Sequence, residues 1–282
     1  MPELPDVEGF RRTVVSCAQG HRIERVEVFD PGVLRGVTAQ RLKRELEGRR
    51  FAAPRRHGKW LIAPLGGPVG GPVGGPVEGP VEGPVGDPTL ILHFGMTGGL
   101  VCRSEGDPPE RFGRVVFTLD DGHQLRYHDQ RKLRGLWLAA TEADVGRILG
   151  EQGPDALTLG RGELDTLLEG RRGRVKATLT DQSVVAGLGN LLGDEILWRA
   201  RVHPKSRTGD LGPDERRRLH TALRGVLRTS VRAGQVPPRP SWLTGHRDDP
   251  DPHCPRCGRP LRRGKIAGRT STWCPRCQPE RS

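Results

Sequence analysis

Four cysteines near the end of this 282-residue chain fall as two Cys-Pro-Arg-Cys pairs, Cys254/Cys257 and Cys274/Cys277, with sixteen residues between them. Two C-x2-C pairs at such a separation have the spacing of a zinc ribbon. Four thiolates close a tetrahedral shell and leave no open position, so the one Zn²⁺ predicted here is structural rather than catalytic. The stretch between the pairs is rich in arginine, carries one lysine and has no acid, which suits a metal-pinned hairpin that meets phosphate. Nothing in the chain suggests export, so disulfides among these four are not expected. Cys17 and Cys102 lie far from the ribbon and read as small packed residues rather than nucleophiles.

The opposite end offers a second kind of chemistry. The chain begins Met-Pro-Glu-Leu-Pro-Asp-Val-Glu. Removal of an initiator methionine before a small residue leaves a secondary amine on Pro2. A neutral amine can attack a sugar C1′ and form an iminium. An α-amine with a pKa of ~7.7–8.0 is partly neutral near physiological pH without special tuning. Glu3 stands beside it and can deliver a proton to the opening sugar ring. In isolation the same two residues read as a frayed terminus.

These groups need elements to hold them. Val7, Phe10, Val14 and Ala18 repeat at helical spacing, which predicts a helix over 5–19 stopped by Gly20. Strand-like runs follow at 23–29, 59–63, 89–93, 114–119 and 124–128, with Asp121-Gly122 as a hairpin turn. Residues 66–85 are five Gly-Pro-Val tetrapeptides, low-complexity sequence read as an expanded hairpin loop spanning 66–88 at most. Beyond about 145 the pattern is helical, at 163–169, 175–180, 191–200 and 214–233, and a proline-rich connector over 237–252 leads to the ribbon. The expected domains are 1–140, a β-sandwich with a leading helix; 145–236, helical; and 250–282, the zinc ribbon, an α+β multidomain architecture.

The net charge of +12 and a pI near 10.3 predict attraction to a polyanion, nucleic acid first, although an arginine-rich solvated surface gives the same number. No apolar run approaches the ~18 residues that span a bilayer. The acidic, proline-rich start is not a signal peptide. A cytoplasmic, nucleoid-associated monomer is the expectation.

Five motifs in order resemble the formamidopyrimidine-DNA glycosylase and endonuclease VIII family. They are PELPDVE at the start, RRHGKW over 55–60, HFGMTG over 93–98, YHDQRKLRG over 127–135, and DQSVVAGLGNLLGDEILWRARVHP over 181–204. The last is similar to the family's helix–two-turn–helix segment. The resemblance implies a bifunctional DNA glycosylase and abasic-site lyase of base excision repair, acting on damaged double-stranded DNA held between its domains. It implies Pro2 as nucleophile, Glu3 as the acid for the sugar ring, and Lys59 on phosphate. By the same resemblance Met96 fills the hole left by an everted nucleotide and Arg131 faces the orphaned base. Leu133 stands where a phenylalanine wedge is usual, with Arg134 at the position of a usual glycine. Asn190 and the backbone N–H groups beside it are implied phosphate ligands, as is Arg269 in the ribbon. The basic run Arg55-Arg56-His57 would gather phosphates, whereas Arg171, Arg172 and Lys176 read as a solvated helical face. Without the motif, Lys59 would be a solvated strand-end lysine, Met96 a core residue and Asn190 a plain helix cap. The segment 234–253 lacks a recognisable lesion-covering lid and Asp6 replaces a glutamate, so the lesion stays open between oxidised or ring-opened purines and oxidised pyrimidines. A damaged-DNA-binding protein without turnover is the alternative from another class.

Overall fold

Alternating apolar residues sort the N-terminal strands onto two sheets that share one core. In a computed structural model, which describes residues 1–67 and 87–280, the chain divides into two compact units. One comprises Met1–Pro2 and Val7–Gly150; the other comprises Glu3–Asp6 and Glu151–Ser282. Residues 68–86, which carry the Gly-Pro-Val repeat, lie outside the described residues.

The N-terminal unit runs α1 (Leu4–Cys17), β1 (Ile23–Val28), α2 (Ala39–Leu46), β2 (Arg50–Phe51), β3 (Arg55–His57), β4 (Trp60–Gly66), β5 (Thr89–His93), β6 (Gly99–Ser104), β7 (Gly113–Leu119), β8 (His123–His128), β9 (Gly135–Ala139) and α3 (Glu142–Leu149). One sheet has the order β1-β7-β8-β6 and the other β2-β4-β5-β9, with β3 paired to β4. The strands flanking the repeat pair antiparallel, from Trp60↔His93 to Pro64↔Thr89.

The sandwich core follows from the two-residue period of a strand. Leu61, Ala63, Leu65, Leu90, Leu92 and Leu136 from one sheet meet Ile23, Val26, Leu100, Val115, Phe117 and Leu125 from the other. Val7 and Val14 of α1, with Ala18 just beyond its end, close the same core. Trp60, Ile62 and Ile91, the alternate positions, face the other way and pack with Val145 of α3. The short helix α2 starts at a Thr38 side-chain cap, and α3 at a capping box of Thr141 and Asp144. Neither helix stood out in the sequence, because eight residues give barely two turns of periodicity.

The C-terminal unit holds α4 (Arg161–Leu168), α5 (Val175–Thr180), α6 (Asn190–Ala200), α7 (Pro213–Ala233) and a ribbon of β10 (Arg262–Ile266) and β11 (Arg269–Trp273). Its core is built from Leu164, Leu179, Leu192, Ile196, Leu219, Leu223 and Leu227, and Leu4 joins it. The proline-rich connector is no loose tether. Trp242 is buried in the helical core and Leu243 in the ribbon cluster, so helices and ribbon fold as one unit.

The expectation for Cys17 and Cys102 is corrected. They form a disulfide that ties the end of α1 to β6, with Cα atoms 6.1 Å apart. A sequence separation of 85 hid the pairing, which arises only when α1 lies over the sheet. Two measurements check it. Thiol titration of the unfolded, chelated and unreduced protein should find four reactive thiols, not all six. Cys102→Ala should lower the urea unfolding free energy by about 2–4 kcal/mol, by freeing the unfolded chain.

Candidate functional site

Strand register brings three chain segments to one end of the N-terminal sheets. Trp60 pairs with His93 and His93 with Gly135, so the β3–β4 turn, the exit of β5 and the entry of β9 lie side by side. The link 94–98 leaves β5 for β6, and the link 129–134 returns from β8 to β9, while Gly99 pairs with His128 in the second sheet. The two crossovers therefore run next to each other. Arg131 donates to Met96 Sδ across them at 3.0 Å.

A polar scaffold holds these links rigid. Asp129 is fully buried; its Oδ1 accepts from Thr97 Oγ1 at 2.6 Å and from the Arg131 N–H at 3.1 Å, and its Oδ2 from Tyr127 at 3.3 Å. Arg35 donates to the carbonyls of Lys132 and Arg134 at 2.7 and 2.9 Å. Gly135 cannot be replaced, since a Cβ there would overlap the Val33 carbonyl. The obligatory glycine is thus at 135, and Arg134 stands exposed just before it. The result is that Met96, 40% exposed, and Leu133, 50% exposed, project apolar side chains into solvent beside the exposed Arg131. Asp129 and Arg35 were not singled out from sequence; a lone buried acid and a lone arginine carry no spacing signal.

Lys59 sits in the two-residue turn between β3 and β4, after Gly58 with φ +55°, and not at the start of a strand as expected. It is 8% exposed, which excludes the solvated lysine. Its neighbour His93 stacks edge-on against Trp60, and burial, with Arg134 and Lys59 nearby, pushes the imidazole down to about 4, so it is neutral at physiological pH. The basic run before Lys59 is not a set of free cations. Arg56, partly buried, pairs with Glu8 at 3.3 Å and donates to the Gly58 carbonyl at 2.9 Å, bracing the turn. Arg55 pairs with Glu142.

Glu3 belongs to the C-terminal unit and is 1% exposed. Its carboxylate accepts from the N–H groups of Gly189, Leu191 and Leu192 at 2.9, 2.8 and 3.1 Å, where α6 begins. These are orphan donors at the positive end of the helix dipole, a natural seat for a carboxylate. Only glycine fits at 189, because a Cβ would occupy the space of the Glu3 carboxylate. The backbone donors expected to bind phosphate at this helix start are therefore filled by Glu3. Asn190 is also engaged, with Oδ1 accepting from Lys176 at 2.8 Å and Nδ2 donating to the Thr270 carbonyl at 2.9 Å.

Lys176 corrects the solvated reading. It is 1% exposed and donates to Asp194 at 2.5 Å and Ser271 at 2.6 Å as well as to Asn190. Asp194 further accepts from Arg247 at 3.0 Å and the Thr272 N–H at 3.2 Å. Burial lifts the Asp194 carboxyl and lowers the Lys176 ammonium, while the attraction between them opposes both shifts. One acid thereby links α5, α6, the connector and β11.

The ribbon closes as its spacing predicts. The four Sγ atoms of Cys254, Cys257, Cys274 and Cys277 lie within 4.8 Å of one another, with 3.9 Å for Cys254–Cys277 and 3.5 Å for Cys257–Cys274. Tetrahedral Zn–S bonds of about 2.3 Å place sulfurs about 3.8 Å apart, so the set is positioned to bind one zinc ion. Burial opposes the Cys254 thiolate, but the indole N–H of Trp198 and two backbone N–H groups outweigh it and bring the thiol down to about 7. Arg256 stacks on Trp198 at 4.2 Å, fastening the first knuckle to α6. Arg269 opens β11 beside the Ala267-Gly268 turn and is exposed.

Asp194→Ala would leave Lys176 and Arg247 buried without their counter-charge. We expect a loss of about 3–5 kcal/mol in urea unfolding. Zinc release to a chelator should accelerate as β11 loosens.

Comparison with known proteins bears on the whole chain. The model of the formamidopyrimidine-DNA glycosylase N-terminal domain matches residues 1–136, that of its H2TH domain 153–238, and that of the zinc finger found in FPG and IleRS 253–279. The formamidopyrimidine-DNA glycosylase of Pelotomaculum thermopropionicum is 35% identical, over 99% of this chain and 99% of that protein. Its counterpart in Symbiobacterium thermophilum is 36% identical, over 99% of this chain and 90% of that protein. Among solved structures, Lactococcus lactis Fpg in complex with abasic-site DNA has a TM-score of 0.82 at 27% identity, covering 99% of this chain and 100% of that one. The same enzyme with DNA containing an oxidised pyrimidine gives 0.83 at 26% identity, with the same coverage. With matching domains in the family's order along its length, this chain belongs to the formamidopyrimidine-DNA glycosylase family, the DNA N-glycosylases of base excision repair.

Proposed function

We propose that the chain excises an oxidised or ring-opened base from double-stranded DNA and then cleaves the strand, through a Schiff base on Pro2. The observation that carries this reading is the Glu3 carboxylate, buried on three backbone N–H groups and covalently next to Pro2. Those three donors fix the position of the carboxylate at the start of α6. It is then suited to take the proton freed when the Pro2 nitrogen attacks C1′ and to return that proton to O4′ as the ring opens. The glycosidic bond breaks, and the base leaves and is protonated by solvent. The iminium acidifies the C2′ proton; its loss expels the 3′ phosphate, and a second elimination expels the 5′ phosphate. Lys59, held in the β3–β4 turn beside His93, contacts phosphate near the reacting sugar.

The exposed pair Met96 and Leu133 suits the space vacated by an everted nucleotide, where apolar side chains replace lost stacking. Arg131 stands beside them for the orphaned base. Asn190, through the second hydrogen of its amide nitrogen, and Arg269 serve the flanking phosphates, Arg269 with a fork of donors that lysine lacks. The same reading carries the domain limits 1–140, 145–236 and 250–282 and a monomeric enzyme.

Borohydride should trap a one-to-one covalent adduct with a duplex bearing an abasic site. Glu3→Gln should slow base release by about 10²–10⁴-fold while keeping duplex affinity. Tight damaged-duplex binding without an adduct would instead favour a binding protein. Duplexes with single defined lesions separate a purine from a pyrimidine preference. Arg269→Ala should weaken binding to all duplexes alike and reduce the salt slope by about 1. An unaltered slope would remove Arg269 from the phosphate contacts.

A further inference from the structure

The outer face of α7 carries features that the proposed chemistry leaves unused. Arg224, Arg228 and Arg232 recur every fourth residue and are all exposed. At a rise of about 1.5 Å per residue they spread three guanidiniums along about 12 Å of one helix face. They rim a groove of about 700 Å³ lined also by Leu157, which is partly exposed, and by Leu227 and Val231, which are buried in the helical core. A second hollow of about 400 Å³ continues past Arg228 and Arg232 to Arg239. No acidic residue occurs anywhere in 216–247, and none lines either hollow. Arg224 donates to the Leu157 carbonyl at 2.5 Å, whereas Arg228 and Arg232 make no ion pair or side-chain hydrogen bond among the described residues.

Gly225 adds an independent observation. It lies in the interior of a 21-residue helix and lines the groove. Glycine there costs about 1 kcal/mol against alanine. Its φ is not in the left-handed region, and a Cβ would meet nothing within 4 Å. The chain's own packing does not require a glycine at 225. A segment lying close against the helix would.

We propose that this groove docks an acidic peptide with apolar anchor side chains, supplied by a partner protein. Its carboxylates would pair with Arg228, Arg232 and Arg239, and its apolar side chains would cover Leu157 and the aliphatic stems of the arginines over Gly225. Charge complementarity sets the sign of the ligand. The apolar part of the lining sets its class, because a phosphodiester backbone has nothing to place against the partly exposed Leu157. The volume is that of an ordinary ligand cleft, and an apolar strip in a groove with a charged rim is a recurrent mode of peptide capture.

The test is fluorescence anisotropy on the full-length zinc-loaded protein. The probe is a labelled synthetic peptide of aspartate and glutamate interrupted by leucines; the controls are the same peptide with serine for leucine, and an undamaged duplex. The leucine peptide should bind with a Kd of about 1–100 μM, and the serine peptide at least about tenfold more weakly. Gly225→Leu should fill the groove and cut peptide affinity at least about tenfold. It should also raise the thermal midpoint, since leucine is the better helix former and the space is open. Arg228→Glu with Arg232→Glu should abolish peptide binding and leave duplex affinity unchanged. Equal binding of both peptides, or peptide binding indifferent to these variants, overturns the proposal. So does a fall in duplex affinity matching the loss of peptide binding, which would make the face a nucleic-acid surface.

Discussion

The N–H groups that begin α6 hold the Glu3 carboxylate, and much of the C-terminal unit is arranged to keep that helix start in place. A carboxylate cannot be buried without partners, and a helix terminus cannot be buried with its donors unmatched. Each solves the other's problem. The geometry leaves no room at 189 for any side chain, so a glycine there is a condition of the contact. Residues Glu3–Asp6 are thereby drawn into the C-terminal unit, although they lie at the other end of the sequence.

The rest of α6 extends the same constraint. Eight of its eleven residues are buried, including two adjacent acids. Asp194 gathers Lys176, Arg247 and the Thr272 N–H, and Glu195 gathers Arg199 and the Thr244 N–H. Trp198 meets the zinc knuckle. Buried charges of this kind gain little net stability against an apolar core, but every wrong placement leaves one of them unpaired. The network therefore specifies one position for the ribbon on the helix. Zinc fixes the shape of the ribbon, and Asp194 fixes where β11 lies.

The N-terminal unit solves the opposite problem, which is to keep apolar side chains out of its core. Met96 and Leu133 would pack inward if their links were free to collapse. Asp129 and Arg35 prevent this by binding the backbone of the links from beneath. Polar interactions set the backbone, and the exposed side chains follow. The Lys59 turn is braced in the same way by Arg56, itself neutralised by Glu8.

By itself the sequence determined the zinc ligands, the strands around the repeat, the long helices and the motif positions from Pro2 to Arg269. Each of these is written in local spacing: a C-x2-C knuckle, a period of two or nearly four, a short run of residues in order. It could not show that Cys17 and Cys102 join, that Lys176 is buried against Asp194, or that the donors before Asn190 are taken by Glu3. Nor could it tell that Arg56 serves the fold rather than a ligand. Those outcomes depend on partners that are from 18 to nearly 190 residues apart in the chain. A charged side chain reads the same in sequence whether water or a counter-charge surrounds it. Only tertiary packing, by removing the water, decided which of these charges had to find a partner and which remained free.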